Sequence, residues 1–268
     1  MLLCACLAQQ ARATTAAKLE AAFLPDQLGS RTTLEFGFSF SAPPGQVPPP
    51  LTQIELRYPN NLGIALSRLG IAECTAKILE TSGPRGCPAD SVMGYGVVYT
   101  GIVLGSSTVT ELAPITIFRA MNSEHLALLF YAEGTHPVVT DIVFPGLLLS
   151  AAEPFGGKVS IGVPLVSTLP GAPYVSVIHL HATIGPREVT YYEKVGGITL
   201  AYKPAGILLP PTCPPKGFPF SAVFTFSDGS RTRAQTDASC PAQTRSALPA
   251  KQQHGRRHRH AKRADNAA

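Results

Sequence analysis

The chain contains no tryptophan and only eight tyrosines, so it is poor in the aromatic platforms on which carbohydrate-binding surfaces commonly depend. Charge is also scarce, at 15% of residues. Nothing matches a G-x-S-x-G nucleophile elbow, and no glycine-rich phosphate loop precedes a helix. Gly94-Tyr95-Gly96 is a fragment of a dinucleotide pattern inside a β segment, where it reads as a strand or bulge glycine pair. No C-x-x-C pair and no histidine at ligand spacing accompanies the cysteines, which disfavours zinc. The apolar run from Leu2 to Ala8 is too short to span a bilayer, and no transmembrane helix is expected.

What is present is turn chemistry and short apolar runs. Proline (25) and glycine (24) punctuate a chain that is 45% apolar, a composition that fits short β-strands joined by tight turns rather than disorder. Thr33 to Phe40 alternates strictly, with Leu34, Phe36, Phe38 and Phe40 on one face, and Gln53 to Tyr58 alternates again. These two read as adjacent strands joined by a long Pro-rich loop, with a crossing of the sandwich as the alternative. Further strand candidates are 96–103, 115–119, 126–132, 140–144, 158–163, 175–182 and 198–202. A last pair, 220–226 and 231–235, brackets Asp228-Gly229, a strong hairpin signal. Only 71–80 has helical spacing. The fold class expected is all-β, a β-sandwich with an open β-barrel as the alternative, carrying one short helix.

The N-terminus reads as the end of a truncated signal peptide, residues 1–13, because Ala11-Arg12-Ala13 supplies a small-x-small cleavage pattern after the apolar run. Residues 14–22 are then a loose leader, 23–241 the β domain and 242–268 a disordered basic tail. Removal of the signal leaves Cys74, Cys87, Cys213 and Cys240. An even number in an exported chain suggests bridges, and four cysteines allow three connectivities. Proximity favours Cys74 with Cys87 and Cys213 with Cys240, each bridge stabilising by about 3 kcal/mol in the chain-entropy account.

The order Phe23-Leu24-Pro25, Leu28-Gly29, a Pro-rich loop, Cys74, Cys87-Pro88, Ser91, Met93-Gly94, Cys213-Pro214 and Cys240-Pro241 resembles uncharacterised exported β-rich proteins of high-GC actinobacteria. The resemblance spans roughly Phe23 to Pro241 and implies export and a disulfide-stapled β fold. It implies no activity and no catalytic residue.

Candidate chemistry is sparse. His179 and His181 share one face of a strand, a geometry that can bind metal, but a third ligand is missing from the pattern. Glu111, Glu124, Glu133, Asp141 and Glu153 lie in or near turns between β segments, and a hydrolase needs two such carboxylates a few ångströms apart. His125 and His136 lie in separate segments, and of Tyr191-Tyr192 one side chain is expected to point outward. No catalytic residue, cofactor or metal set is assigned. From Arg245 onward seven cations face one anion, a formal +6 that leaves the rest of the chain at −1. A near-neutral body gives no support for specific nucleic-acid binding. The tail cations Arg256, Arg257, Arg259, Lys262 and Arg263 suit weak, salt-sensitive contact with an anionic cell-wall polymer or membrane surface. The expectation is a non-enzymatic envelope or extracellular binding or structural module, the alternative an exported hydrolase.

Overall fold

The computed structural model describes residues 15–63, 69–105, 107–122, 125–136, 139–167 and 171–241. The expected signal segment and the basic tail, with its five candidate contact residues, lie outside the described residues. In chain order the strands are β1 (Ala16–Leu24), β2 (Arg31–Ser41), β3 (Leu51–Pro59), β4 (Val92–Leu104), β5 (Ser107–Asn122), β6 (His125–Gly134), β7 (Thr140–Ser150), β8 (Phe155–Gly162), β9 (Ser176–Ile184), β10 (Tyr191–Val195), β11 (Ile198–Tyr202), β12 (Ile207–Leu208), β13 (Phe218–Phe226) and β14 (Arg231–Ala238). Helix α1 (Ala76–Ser82) lies between β3 and β4.

Eleven strands form one antiparallel sheet in the order β1-β2-β9-β4-β5-β6-β7-β8-β3-β13-β14, with β12 adding a short rung to β2 and β10-β11 a separate hairpin. The end strands β1 and β14 lie side by side, so the sheet curls into a nearly closed barrel. The all-β class is thus as expected, and of the two architectures the barrel is the one found. Two-residue alternation dictates the layering: Leu34, Phe36, Phe38 and Phe40 of β2 are buried inside, while Lys18 and Glu20 of β1 lie outside in solvent.

An aromatic cluster fills the interior behind the seam between β1 and β14. Phe40 meets Phe224 edge-to-face at 4.8 Å, Phe38 lies 4.9 Å from Phe224, and Phe23 meets Phe218 edge-to-face at 5.4 Å. These contacts join β1 and β2 to β13 across the closure, each adding about 0.5–1.5 kcal/mol beyond the area it buries.

Three expectations need correction. The expected leader is a strand from Ala16 onward: Ala16 to Leu24 pair with β2 from Ser41 to Thr33, and Leu19 and Phe23 are buried. The segments 33–40 and 53–58 are not neighbours, because β2 pairs with β1 and β9 whereas β3 pairs with β8 and β13. The Pro-rich loop therefore spans the barrel rather than joining adjacent strands. The helix starts later than its spacing suggests. Cys74 N–H donates to Arg119 C=O at 2.9 Å, which ties residues before 75 to β5, and Thr75 then caps α1 by accepting from Ile78 N–H.

Both disulfides join the proximal partners, Cys74–Cys87 with Cα atoms 5.4 Å apart and Cys213–Cys240 at 5.8 Å. The first holds α1 against the outer wall of β5–β7, where Leu79, Phe118, Leu129 and Tyr131 form a second small core. The second closes the open end of the β13–β14 hairpin, whose register runs from Phe218↔Ala238 to Thr225↔Arg231.

At one barrel end Tyr191 is fully buried. Its hydroxyl accepts from Gly70 N–H at 2.6 Å and donates to Val92 C=O at 2.7 Å, and Arg119 donates to Gly70 C=O at 2.6 Å. Burial pushes the phenol up to about 12.

Two outcomes follow from this packing. Phe224→Ala is expected to cost about 3–5 kcal/mol in denaturant unfolding, because it removes the ring common to two seam contacts. Tyr191→Phe is expected to cost about 1–3 kcal/mol by orphaning a buried N–H. Since the folded phenol titrates near 12 and the unfolded one near 10, the contribution is complete below pH 10 and lost as pH rises through 12. Wild-type protein therefore loses stability over that alkaline window, and the Phe variant lacks this part of the loss.

Candidate functional site

Inward residues of the barrel are nearly all apolar, and they do not fill it. Two voids lie within it, of about 110 Å³ and about 120 Å³. They share Phe38, Ile54, Ile115, Phe130, Ile161 and Leu180 in their walls, so they are neighbouring voids of one apolar interior. The first extends toward Tyr58, Leu62, Met93, Ile184 and Ile207, close to the end plugged by Tyr191. The second extends the other way, to Val98, Thr100, Ile142 and Val177, and to Pro164, Val166 and Val175 of the β8–β9 connection. An engineered cavity of about 150 Å³ with this kind of lining stays dry and binds benzene.

Local sequence explains where the space lies. Phe130 of β6 stacks on Phe144 of β7 with ring centroids 5.3 Å apart, and the inward position beside them is Gly146. A Cβ there would come within 2.8 Å of Phe130 Cε2, so glycine lets the ring pair lie flat against the wall. The large rings near the seam are packed against one another, and this opposite wall carries mainly Ile, Leu and Val.

The polar exception is Thr100. It is 8% exposed, it lines the second void, and its Oγ1 has no hydrogen-bond partner among the described residues. Directly across the ladder on β5 is Glu111, only 5% exposed, on the inward face with Ala113, Ile115 and Ile117. One Glu111 oxygen accepts from Thr135 N–H at 2.7 Å and His136 N–H at 3.1 Å. Glu111 is therefore a buried strand residue and not a turn carboxylate. β5 begins at Ser107, and Pro114, which reads as a strand break, sits exposed within it.

The other candidates stay apart from this space. His179 and His181 face outward on β9, beside Tyr99 (5.7 Å from His179) and near Glu20. No group of three metal-ligating side chains occurs among the described residues. Glu133 and Asp141 sit opposite each other on β6 and β7, both exposed on the outer wall. Asp141 and burial together raise the Tyr131 phenol well above its ordinary range, burial contributing more. Glu153 is exposed beside an outer groove lined by Arg57, Phe155 and Lys158, where Lys158 donates to Glu55 at 2.9 Å and Arg57 also pairs with Glu55. The Lys158 hydrogen bond is the main cause holding the Glu55 carboxyl below the usual range. Glu124 lies outside the described residues, as does the side chain of His125, while His136 is exposed. Of Tyr191 and Tyr192 the second points outward, 58% exposed, on a hairpin that also exposes Val195, Ile198 and Leu200.

Thr100 escaped the sequence reading because a threonine within a strand is unremarkable in itself. Its signal lay in the register: Val98, Thr100 and Ile102 share a buried face, and only the middle one is polar. No helix among the described residues is long and apolar enough to cross a membrane.

No protein-family profile, curated protein or solved structure matches the chain.

Proposed function

We propose that this protein is an exported, non-enzymatic binding module of the cell envelope or extracellular space, whose barrel takes up a small apolar molecule. The observation that carries the reading is the pair of neighbouring apolar voids whose walls share Phe38, Ile54, Ile115, Phe130, Ile161 and Leu180. A core optimised only for stability closes such space, since residual cavity volume costs roughly 24 cal/mol per Å³. Ligand sites are characteristically concave, mainly apolar and equipped with a few polar groups. Export is supported by the two disulfides and by the small-x-small pattern near Ala13. The cationic tail gives the module weak attachment to anionic polymer or lipid. Among the described residues the candidate carboxylates that lie opposite each other are Glu133 and Asp141, exposed on the outer wall away from the voids, and the binding reading is preferred for that reason.

The neutral fluorophore N-phenyl-1-naphthylamine reports on the interior. One saturable site with enhanced emission, and a thermal midpoint that rises with probe concentration, is expected. Emission no greater than that of a control β protein would overturn the reading. Removing residues 245–268 is expected to leave probe binding unchanged while abolishing salt-sensitive retention on anionic vesicles; retention unaffected by the deletion at low salt removes the attachment role.

A further inference from the structure

Resting on the tail attachment in that reading, we infer that the β10–β11 hairpin is a membrane-docking arm, whose apolar tip enters the surface of an anionic lipid bilayer while the cations of residues 242–268 meet the headgroups. This narrows the partner of the tail from polymer or lipid to lipid, and the ligand of the barrel plays no part in it.

The hairpin is a separate two-stranded sheet, paired from Tyr191↔Tyr202 to Val195↔Ile198. Its base is fixed. Tyr191 is fully buried, Tyr202 meets that ring edge-to-face at 5.7 Å, and Lys203 donates to Thr190 Oγ1 at 2.7 Å and to Glu188 C=O at 3.3 Å. Beyond the base every residue from Tyr192 to Ala201 is exposed. Gly196 and Gly197 make the turn, both at positive φ as a two-residue I′ turn requires, and a Cβ built on either meets nothing within 4 Å. The tip thus stands clear of the barrel.

That tip is apolar where a solvated turn is polar. Register puts Val195, Ile198 and Leu200 on the face that carries Tyr202, with Val195 and Ile198 flanking the turn and Ile198 66% exposed. From Tyr192 to Ala201 the only charges are Glu193 and Lys194, so the arm itself is neutral. A two-stranded hairpin is marginal in water by itself, and contiguous exposed apolar surface marks an interaction site.

Positive charge begins at the same barrel end. Ala238 pairs with Phe218, Phe218 packs on Phe23, and Phe23 pairs with Leu34. Leu34 and Gly94 both pair with Ile184, and Gly94 is two residues from the Val92 carbonyl that Tyr191 holds. The first tail cation, Arg245, is only seven residues past Ala238, and the segment it opens carries the formal +6. A hydrated anionic polymer offers the apolar tip nothing, whereas an anionic bilayer takes both signals, and stable anchoring needs two. A second copy fits less well, because a stable protein interface uses roughly 20–30 residues a side and pairing two arms brings two +6 segments to one junction.

The chain has no tryptophan, so Ile198→Trp in the full, disulfide-bonded protein places its sole indole at the tip. With vesicles of phosphatidylglycerol and phosphatidylcholine in equal parts, its emission is expected to shift to the blue and to be quenched by lipid brominated in the acyl chains. Binding to phosphatidylcholine alone is expected to be weaker by about tenfold or more. Tyr99→Trp, on the outer wall, is expected to show no shift. The double variant Val195→Thr, Ile198→Thr keeps β-branching, and is expected to bind the anionic vesicles about tenfold more weakly and to lose the fraction retained through a high-salt wash, while low-salt capture by the tail persists. Unshifted Ile198→Trp emission on vesicles that capture the protein overturns the inference and leaves the tail attachment standing, as does retention through the salt wash unaltered in the double Thr variant. An equal blue shift in Tyr99→Trp also overturns it. Sedimentation that reveals a dimer abolished by the double Thr variant assigns the arm to a second copy instead. Wild type captured by neither vesicle at low salt removes the attachment itself, and the arm with it.

Discussion

Phenylalanine rings packed between β1, β2 and β13 hold together the two ends of an eleven-strand sheet. The backbone ladder runs from β1 round to β14 and stops there among the described residues, so closure rests on side chains. Phe38 and Phe40 reach across to Phe224, and Phe40 also meets Phe226 at 5.2 Å. An open sheet of this length leaves two edges available for pairing with another chain. The ring cluster brings those edges together and sets the diameter of everything inside.

Once the diameter is set on one side by aromatic packing, the opposite wall cannot meet it. Strands β4 to β8 contribute mainly Val, Ile, Leu and the flat Phe130–Phe144 pair, and the remaining space lies between the two walls. Tyr191 and its bonds to Gly70 and Val92 secure one end. Toward the other end Thr100 and Glu111 are buried register partners on the inner face. Stability and function thus draw on the same construction: the seam makes the barrel, and the mismatch between its two walls makes the cavity.

Much of the fold was legible because alternation is a local property. Leu34-x-Phe36-x-Phe38-x-Phe40 declares a strand by itself, and Asp228-Gly229 declares its hairpin. Cysteine proximity likewise pointed to the bridges observed. The strand β1 was not legible, since Ala-Ala-Lys-Leu-Glu-Ala-Ala is weak in β propensity and acquires its state from pairing with β2. Glu111 was misplaced because Pro114 resembles a boundary, yet at an outward position the ring is accommodated. The cavity was beyond reach for a deeper reason. Its volume depends on residues from β2, β3, β5, β6, β8 and β9 meeting in space, and no spacing along the chain encodes that distance.

The proposed function requires the barrel interior to be a site for a small apolar molecule and not simply a loosely filled core. Native mass spectrometry of the disulfide-bonded protein mixed with excess N-phenyl-1-naphthylamine is the most direct test. A one-to-one adduct that survives gentle transfer and is lost on raising the collision energy is expected. A spectrum of bare protein alone under those conditions, with the adduct forming on a control protein that has such a cavity, would contradict it.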